Sequence, residues 1–319
     1  MTFKTPAFWY RPWDKLPPLV HAIAPLGNLY GYAGKLRARF CKPYKAAMPV
    51  ICVGNIVAGG SGKTPTALAL MTLIKERGLA KNPCFLTKGY GGRLTGPVFV
   101  SQQSCEDVGD ESLLLARVAP VIVAKDRQKG AWLAEKSGYD MIVMDDGFQN
   151  PCLHKDVSFV VVDGKTGFGN GYLIPFGPLR EKVSDGLARA KAIIKIGGET
   201  SLHTATPVIN ARIDAETDMP PGTKVFGFCG LGQPEKFRQG LIGMGLDVAG
   251  FKIFADHHPY TVAEIKNLHA EAFDHKAHLI TTEKDLCRLP SVENIHVLKI
   301  KLVFEDPADI LNHIMAMSA

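Results

Sequence analysis

A glycine-rich segment near residue 60 has the residue types and order of a phosphate-binding loop. Residues 54–66 read GNIVAGGSGKTPT, directly after an apolar, β-branched run and directly before a helix-forming run. Glycines let backbone N–H groups approach phosphate oxygens, and the N-terminus of the next helix adds a favourable dipole. Lys63 is expected to reach the β- and γ-phosphates and Thr64 to ligate Mg²⁺. The predicted nucleotide-binding residues here are Gly59, Gly60, Ser61, Gly62, Lys63 and Thr64.

One position of this loop departs from the usual pattern G-x-x-x-x-G-K-[ST]. Val57 stands five residues before Gly62, where the first glycine is expected. A glycine-rich turn between strand and helix with an incidental lysine is the alternative interpretation. The unbroken order Gly-Gly-Ser-Gly-Lys-Thr favours phosphate binding.

Two adjacent carboxylates follow a later apolar run. The segment DMIVMDDGFQN delivers Asp145 and Asp146 at the end of a predicted strand. Phosphate-loop chemistry needs an acid at the end of a neighbouring strand to hold magnesium or its water. In open α/β sheets ligands bind outside the carboxyl ends of the strands, where these side chains are expected. Asp145 and Asp146 are the predicted metal residues together with Thr64, and an ordinary Asp-Asp-Gly turn is the alternative.

Asp110 and His257 are the candidates for moving the proton of an acceptor hydroxyl, because a positioned carboxylate or imidazole can accept it. Asp110 lies in VGDESLLLARV, where an acidic pair that opens a helix could merely complement the helix dipole. His257 lies in FADHHPYT, in a predicted loop before a helix that begins near Thr261. Adjacent histidines lack metal-ligand spacing on one helix face, so proton transfer is the better hypothesis than zinc binding.

Three further segments offer charged side chains. In GNGYLIPFGPLRE, Arg180 and Glu181 could clamp phosphate or position a switch. In LTKGYGGRL, Lys88 and Arg93 form a predicted cationic loop beside the nucleotide or an anionic substrate. The run TTEKD is most simply a helix cap with an acidic first turn.

These residues need a scaffold, and the sequence predicts an α/β fold. The chain has 319 residues, 46% of them hydrophobic and 21% charged, which argues against a disordered or fibrous protein. Apolar runs buried on both faces alternate with helical runs, as in a P-loop NTPase-like parallel sheet flanked by helices. The Pro-containing stretch Glu199 to Gly222 is interpreted as the transition to a smaller second α/β domain. The predicted divisions are 1–45, 46–220 and 221–319.

The N-terminal segment is basic and apolar. The first 50 residues contain eight Lys or Arg and one acid, Asp14, which gives +7; since the whole chain carries +6, the remainder sums to −1. Residues 19–40 are predicted to form an amphipathic helix at a membrane surface, with aromatic residues suited to the headgroup layer. A helix packed on the protein's own body is the alternative. No window contains the roughly 18 apolar residues of a spanning helix.

The cysteines and the N-terminus favour a cytosolic protein. The seven cysteines are odd in number, scattered and free of any C-x-x-C pair, which predicts a reducing compartment. The N-terminus has no pattern of a secretory signal.

Taken together, the motifs resemble those of the tetraacyldisaccharide 4′-kinase family, over most of the chain. The resemblance rests on this ordered set: PAFWY, GNIVAGGSGKTP, TKGYGGR, VGDE, MDDGFQN, GPLRE, FCGLGQPEKF, FADHHPY and TTEKD. Only the phosphate loop is informative alone, but the order of the whole set is highly specific.

The resemblance implies transfer of the γ-phosphoryl group of ATP to the 4′-hydroxyl of a tetraacylated disaccharide 1-phosphate, with Mg²⁺, at the cytoplasmic face of the bacterial inner membrane. It implies phosphate and magnesium binding by Lys63 and Thr64, metal binding by Asp145 and Asp146, and handling of the acceptor proton by Asp110 and His257. The lipid A precursor and the membrane surface are the expected partners, with no nucleic acid and no obligate protein partner. The rival interpretations are a P-loop kinase or ATPase for another small molecule, and a nucleotide-dependent binding switch.

Overall fold

A computed structural model describes residues 6–290 and 293–316 of the chain. Within these residues a single sheet carries strands that fall into two halves. The first half contributes β1 (Val50–Gly54), β2 (Pro83–Thr87), β3 (Val98–Phe99), β4 (Val121–Val123), β5 (Met141–Asp145), β6 (Val157–Asp163), β7 (Ala192–Ile196) and β8 (Val208–Glu216). The second half contributes β9 (Lys224–Cys229), β10 (Asp247–Ile253), β11 (His278–Thr282) and β12 (Ile295–Phe304).

The first half has the predicted parallel sheet. β1 lies at its centre and pairs in parallel with β5 on one side and β6 on the other. Every residue of β1, β2 and β5 is buried, which explains why these strands are continuous apolar runs without polar alternation. The parallel arrangement brings the carboxyl ends of β1 and β5 to the same edge. The α/β fold class is confirmed.

The second half continues the sheet. Its strands lie in the order β10, β9, β11, β12, all parallel, and β12 pairs antiparallel with β8 of the first half. The junction contains register pairs such as Leu302 with Ile213. The two halves are therefore joined through backbone hydrogen bonds as well as through side chains.

The stretch Glu199 to Gly222, predicted to be only a transition, contains the nine residues of β8, so that interpretation was incomplete. In β8 several positions are exposed and only Ile209 and Ala211 are buried, so the strand lacks the apolar run that marks β1. Pro207, Pro220 and Pro221 flank it and supplied the misleading loop signal. β7 and β12 were also not predicted.

Helices cover the sheet. They are α1 (Pro18–Ile23), α2 (Gly27–Arg39), α3 (Lys63–Glu76), α4 (Cys105–Val108), α5 (Asp110–Ala116), α6 (Arg127–Lys136), α7 (Val183–Leu187), α8 (Pro234–Gly243), α9 (Val262–Asp274), α10 (Glu283–Leu286) and α11 (Pro307–Met315). On α3, Leu70 and Ile74 are one turn apart and fully buried against the sheet. Helix α9 begins directly after Thr261, which agrees with the predicted helix start near this residue, and the Thr261 side chain caps it.

The end of the chain returns to the first half. Ile310 and Ile314 of α11, with Leu302 and Phe304 of β12, are buried in the same apolar cluster as α3 and β1. A separate set of buried residues, including Val225 and Leu241, forms the core between α8 and the second half of the sheet. The division at residue 220 stays a proposal.

The N-terminal segment is helical but interrupted. Helices α1 and α2 are separated by a 3₁₀ turn at Ala24–Leu26, which contains Pro25, so the helix predicted over residues 19–40 is interrupted there. Gly27 and Gly31 contact Leu173 of the body at distances that leave little space for a side chain. Among the described side chains, an exposed apolar stripe runs along α2 and just beyond, formed by Leu29, Tyr32, Leu36 and Phe40. The predicted basic residues Lys35 and Arg37 have side chains outside the described part of the structure.

Two cysteines that the sequence left unpaired form a disulfide. Cys41 and Cys152 lie with Cα atoms 5.4 Å apart, and they are 111 residues apart in the chain. The scattered cysteines had predicted a reducing compartment, and this pair could not be predicted because spacing along the chain carries no information on contacts between distant segments. The cysteines described as free are Cys52, Cys84, Cys105, Cys229 and Cys287.

Candidate active site

The glycine-rich loop connects β1 to α3 at the carboxyl edge of the sheet. Gly62 has φ of 87°, a left-handed conformation that glycine adopts without strain, and α3 begins at Lys63 directly after it. A Cβ on Gly62 would lie 2.5 Å from Cδ1 of Ile196, so any larger residue would also collide. The positive end of the α3 dipole and the lysine therefore face the same space.

Val57 has a structural role in this loop. Its side chain is buried, its φ is not in the left-handed region, and its backbone forms a bridge with Leu179. The N–H of Ala58 donates to the carbonyl of Pro178 at 2.7 Å. The loop is thus braced from outside by residues 178–179, and at position 57 the backbone does not need glycine.

The carboxylates of Asp145 and Asp146 lie beside the start of α3. Asp145 ends β5, is 1% exposed and accepts a hydrogen bond from Thr64 Oγ1 to its Oδ2 at 2.9 Å. Asp146 has φ of 51°, and its Oδ1 lies 3.8 Å from Lys63 Nζ. Burial raises the pKa of Asp145 to about 7, helped by the negative charges of Glu111 and Asp146. These two carboxylates need a positive partner.

The same residues fit a magnesium ion. Asp145 Oδ1 and Asp146 Oδ1 are buried atoms without a hydrogen-bond partner, and hard cations prefer such oxygens. Within residues 6–290 and 293–316, no group of three or more His, Cys, Asp or Glu side chains could hold a metal ion. Mg²⁺ commonly uses one or two carboxylates and takes substrate phosphates as further ligands, and the two Asp side chains match that requirement.

Arg180 and Glu181 lie near this site. Arg180 Nη1 lies 3.5 Å from Asp146 Oδ1, and the Arg180 backbone N–H donates to the carbonyl of Ile56 at 2.8 Å. Glu181 forms an ion pair with Arg189 and accepts a hydrogen bond from Gln149 Nε2 at 3.2 Å. Of the predicted pair, Arg180 is the residue that contacts the carboxylates.

A groove next to the glycine-rich loop is lined from several parts of the chain. Its walls include Gly59 and Ser61 of the loop, Tyr10 of the N-terminal segment, Asp163 at the end of β6 and Gln233 of the second half. Across the halves, Lys236 Nζ lies 2.6 Å from Asp163 Oδ2. The groove has a volume of about 20 Å³, enough for a water molecule but not for a nucleoside, so it borders the phosphate loop without itself holding a nucleotide.

Asp110 and His257 meet although 147 residues separate them. His257 Nδ1 lies 3.0 Å from Asp110 Oδ2, and Asp110 is 3% exposed at the first position of α5. Gly109 makes the approach possible: it has φ of 82°, and a Cβ there would lie 2.2 Å from the Tyr90 carbonyl oxygen. His257 itself has φ of 59° in the turn after β10. The acidic start of α5 is thus more than a complement to the helix dipole.

Two cations that were not predicted from the sequence, Lys284 and Arg288, lie beside Asp110 and His257. Lys284 Nζ lies 3.3 Å from Glu111 Oε1 and 3.9 Å from Asp110 Oδ2, and Arg288 Nε lies 3.5 Å from the same Asp110 oxygen. Asp110, Glu111, His257, Lys284 and Arg288 are called the inter-half cluster below. TTEKD does form the predicted cap, with Thr282 accepting from the Asp285 N–H. The spacing of four residues between Lys284 and Arg288, which on a helix would put both on one face, was the available signal. In the structure Lys284 lies in α10 and Arg288 in the turn that follows it.

The charges of the inter-half cluster keep Asp110 ionised. Burial alone would raise the pKa of Asp110, but the hydrogen bond from His257 and the positive charges of Lys284, His257 and Arg288 outweigh it, so this pKa lies below its ordinary value. Burial would lower the pKa of Lys284, and the charges of Glu111 and Asp110 reverse that direction. The cluster therefore offers an ionised carboxylate hydrogen-bonded to a partly exposed imidazole.

The predicted cationic loop is only partly available for a ligand. Arg93 Nε lies 2.7 Å from Asp107 Oδ1 in a surface ion pair. Lys88 is exposed directly after β2. Of the two residues, only Lys88 is a candidate for contact with an anionic substrate.

Comparisons with known proteins agree on one family. The family model LpxK, described as tetraacyldisaccharide-1-P 4′-kinase, matches residues 19–318. A protein of Rhodospirillum centenum named tetraacyldisaccharide 4′-kinase is 43% identical over 98% of this chain and 96% of its own length. One of the same name from Bradyrhizobium diazoefficiens is 44% identical over 96% of this chain and 94% of its own. The crystal structure of LpxK from Aquifex aeolicus in complex with ATP is similar with a TM-score of 0.76 and 28% identity, covering 94% of this chain and 99% of that one.

Proposed function

The chain belongs to the tetraacyldisaccharide-1-P 4′-kinase family, and we propose for it a mechanism in which the phosphate loop and the inter-half cluster act on opposite ends of the transferred phosphoryl group. It is an ATP-dependent kinase that phosphorylates the 4′-hydroxyl of tetraacyldisaccharide 1-phosphate. The observation that carries the mechanism is the contact of His257 with Asp110. This contact lies near the donor site, because Glu111, the residue after Asp110, raises the pKa of Asp145 through its negative charge.

On the donor side, residues 59–64 hold the phosphates of ATP. Backbone N–H groups of the loop and the N-terminus of α3 face the phosphate oxygens, and Lys63 extends to the β- and γ-phosphates. Because phosphoryl transfer depends chiefly on positioning and charge stabilisation, Lys63 acts as a catalytic residue as well as a binding one. Arg180, held beside Asp146, adds a second cation next to the developing charge.

Thr64, Asp145 and Asp146 would hold Mg²⁺. When bound, the ion neutralises charge on the β- and γ-phosphate oxygens and fixes their orientation. The support is the pair of buried carboxylate oxygens beside the phosphate loop, Asp145 Oδ1 and Asp146 Oδ1, that accept no hydrogen bond. The Thr64 hydroxyl donates a hydrogen bond to Asp145 Oδ2 at 2.9 Å, so these two neighbouring residues would hold the ion together.

On the acceptor side, His257 takes the proton of the 4′-hydroxyl. The His257 side chain is 29% exposed, whereas that of Asp110 is 2% exposed, so the imidazole is the group that a substrate can reach. Asp110 accepts the Nδ1 hydrogen bond, orients the ring and stabilises the imidazolium. As the hydroxyl oxygen bonds to the γ-phosphorus, the bond to the β–γ bridging oxygen breaks, ADP leaves and the proton passes to His257.

We also propose that the N-terminal segment brings the enzyme to the cytoplasmic surface of the inner membrane. The acceptor carries four acyl chains, and the exposed stripe of Leu29, Tyr32, Leu36 and Phe40 offers apolar surface. Within the described residues no helix could cross a membrane, since none combines the necessary length and apolarity. Binding at the interface, reinforced by the +7 charge of the first 50 residues, is the mode that these features support.

The mechanism is tested by incubating the purified protein with labelled ATP, Mg²⁺ and a tetraacyldisaccharide 1-phosphate, and measuring label in a bisphosphorylated lipid. Transfer that requires Mg²⁺ and is lost in His257→Gln supports the proposed roles. Full transfer by His257→Gln would contradict the assignment of His257 as the proton acceptor. Phe273→Ser, at an exposed residue of the second half, is the control variant.

A further inference from the structure

Arg288 is a buried cation placed between two buried carboxylates from different halves. Its side chain is 4% exposed. Its Nη2 lies 3.1 Å from Oδ1 of Asp285, and its Nε lies 3.5 Å from Oδ2 of Asp110. A guanidinium has donors in a fixed planar fork and does not lose its charge in proteins. It can therefore hold two carboxylates in one relative orientation, which an ammonium group cannot.

The Asp285 end of this bridge is rigidly held. Asp285 is fully buried, and its Oδ1 accepts hydrogen bonds from the Gly230 N–H at 2.8 Å and the Tyr260 hydroxyl at 2.7 Å. Its Oδ2 accepts one from the Thr282 hydroxyl at 2.6 Å. Because the acidic side of the pair is fixed, the position of Arg288 is fixed as well. Its Nε–H donates to the Lys284 carbonyl at 3.4 Å, and the Asp110 carboxylate lies 3.5 Å from the same nitrogen as an ion-pair partner.

Arg288 also supports the turn that carries His257. Its Nη1 and Nη2 each donate to the Gly230 carbonyl at 3.2 Å, and that carbonyl accepts the His257 backbone N–H at 3.2 Å. Its Nη1 also lies 3.5 Å from the carbonyl of His258. A Cβ on Gly230 would lie 2.8 Å from the Ala255 carbonyl, so the packing leaves the turn little freedom. One side chain thus contacts Asp110 and the backbone support of His257.

We propose that Arg288 is a positioning residue for phosphoryl transfer, which sets the Asp110 carboxylate and the His257 turn in the one arrangement where the imidazole can take the acceptor proton. The inference rests on the proposed roles of Asp110 and His257. Lys284 differs, because it is more exposed and its shorter contact is to Glu111. A cation with only a structural role would need no partners beyond Asp285 and the Gly230 carbonyl, which belong to its own half. Arg288 also contacts Asp110, which belongs to the other half.

A double-mutant cycle separates positioning from a structural role. Arg288→Met is expected to lower kcat for lipid phosphorylation roughly 10- to 100-fold with KM for ATP little changed, because contacting residues couple on that scale. Arg288→Lys, which keeps the charge, is expected to recover part of the loss. If Arg288 acts through Asp110, the variant Asp110→Asn/Arg288→Met is no slower than Asp110→Asn alone.

The matched control is Arg117→Met. Arg117 is another arginine between the halves, with Nη1 3.6 Å from Glu283 Oε1, and it has no contact with Asp110 among the described ion pairs. Its loss is expected to leave kcat unchanged. If Arg288→Met does not fold, judged by its thermal melting, the cycle is run with Arg288→Lys, which keeps the buried carboxylates paired.

Three outcomes would overturn the inference: wild-type kcat in Arg288→Met, a loss that multiplies with that of Asp110→Asn, or an equal loss in Arg117→Met. The failure of the underlying mechanism has a different result. An Asp110→Asn enzyme with wild-type kcat would remove the proposed role of Asp110 itself, whatever Arg288 does.

Discussion

The phosphate loop and the inter-half cluster are built on different principles. The phosphate-loop site lies at the ends of β1 and β5, two hydrogen-bonded neighbours in one half of the sheet. Its residues are Lys63, Thr64, Asp145 and Asp146, and the contacts among them stay within that half. Asp110 and His257 come from different halves. The phosphate loop depends on local backbone geometry, whereas the cluster depends on how the halves meet. Damage to the cluster should therefore spare ATP binding, and damage to the loop should not.

The largest expected effect is at the phosphate loop. Lys63→Ala removes the cation that extends to the β- and γ-phosphates, and we expect kcat/KM for ATP to fall on the order of 10³-fold. Initial rates of label transfer from ATP to lipid measure it. Lys75→Ala, at an exposed lysine of the same helix α3, is the control. A near wild-type Lys63→Ala enzyme would contradict the assignment of this loop to ATP.

The next effect is at the inter-half cluster and should have a different kinetic signature. Asp110→Asn keeps the shape of the side chain but removes its negative charge, and we expect kcat to fall about 10²- to 10⁴-fold with little change in KM for ATP. Steady-state rates at varied ATP concentration test it. Asp107→Asn on the preceding helix α4 should behave as wild type. If Asp110→Asn instead raised KM for ATP at unchanged kcat, the functional separation of the two regions would be lost.

A smaller effect is expected at the exposed apolar stripe, which should affect only the lipid. The triple variant Leu29→Ser, Tyr32→Ser, Leu36→Ser removes apolar area that would be buried in lipid, and we expect at least about tenfold weaker binding to anionic phospholipid vesicles. Co-sedimentation with vesicles measures the binding, and KM for ATP should stay constant. Ile253→Ser with Phe273→Ser removes comparably exposed residues from the second half and should not weaken binding. Unchanged binding of the triple variant would exclude the stripe as the membrane surface.

The smallest expected effect is on stability at acid pH. The pKa of Asp110 is lowered in the folded protein by His257, Lys284 and Arg288 despite burial. Its charge therefore contributes stability that is fully present above the unfolded pKa of about 3.9 and is lost as pH falls through the folded pKa, roughly 1.4 kcal/mol for each unit of difference. The difference in unfolding free energy between wild type and Asp110→Asn should shrink as pH falls below about 5, roughly one unit above that pKa. Urea unfolding at several pH values measures it, and a difference that grew on acidification would reverse the sign assigned here.

Prediction from sequence worked best where an element is local and wholly buried. β1, β5 and α3 are runs of apolar residues beside a glycine-rich turn, so both their type and their order along the chain were readable. β8 and β12 were not found because several of their residues are exposed, so neither is the wholly buried apolar run that marks β1.

The inter-half cluster was half predictable for a similar reason. Asp110 and His257 were selected because each is a titratable residue in a loop or at a helix start. Lys284 and Arg288 were not selected, since Lys284 belongs to a run that a helix cap already explains. Their importance follows from the fold, which brings them within 4 Å of Asp110.

The sequence by itself determined the α/β class, the phosphate loop, the two acids after β5 and the family. Each of these is encoded in a short segment whose backbone conformation and residue types suffice to specify it. Only the tertiary structure showed that the loop can have valine rather than glycine at position 57, because the backbone there bridges to Leu179. Only the tertiary structure showed that His257 is among the groups that lower the pKa of Asp110. It also decided that Arg288 lies between Asp110 and Asp285. Contacts between residues more than a hundred positions apart depend on chain topology, which no local pattern of residues records.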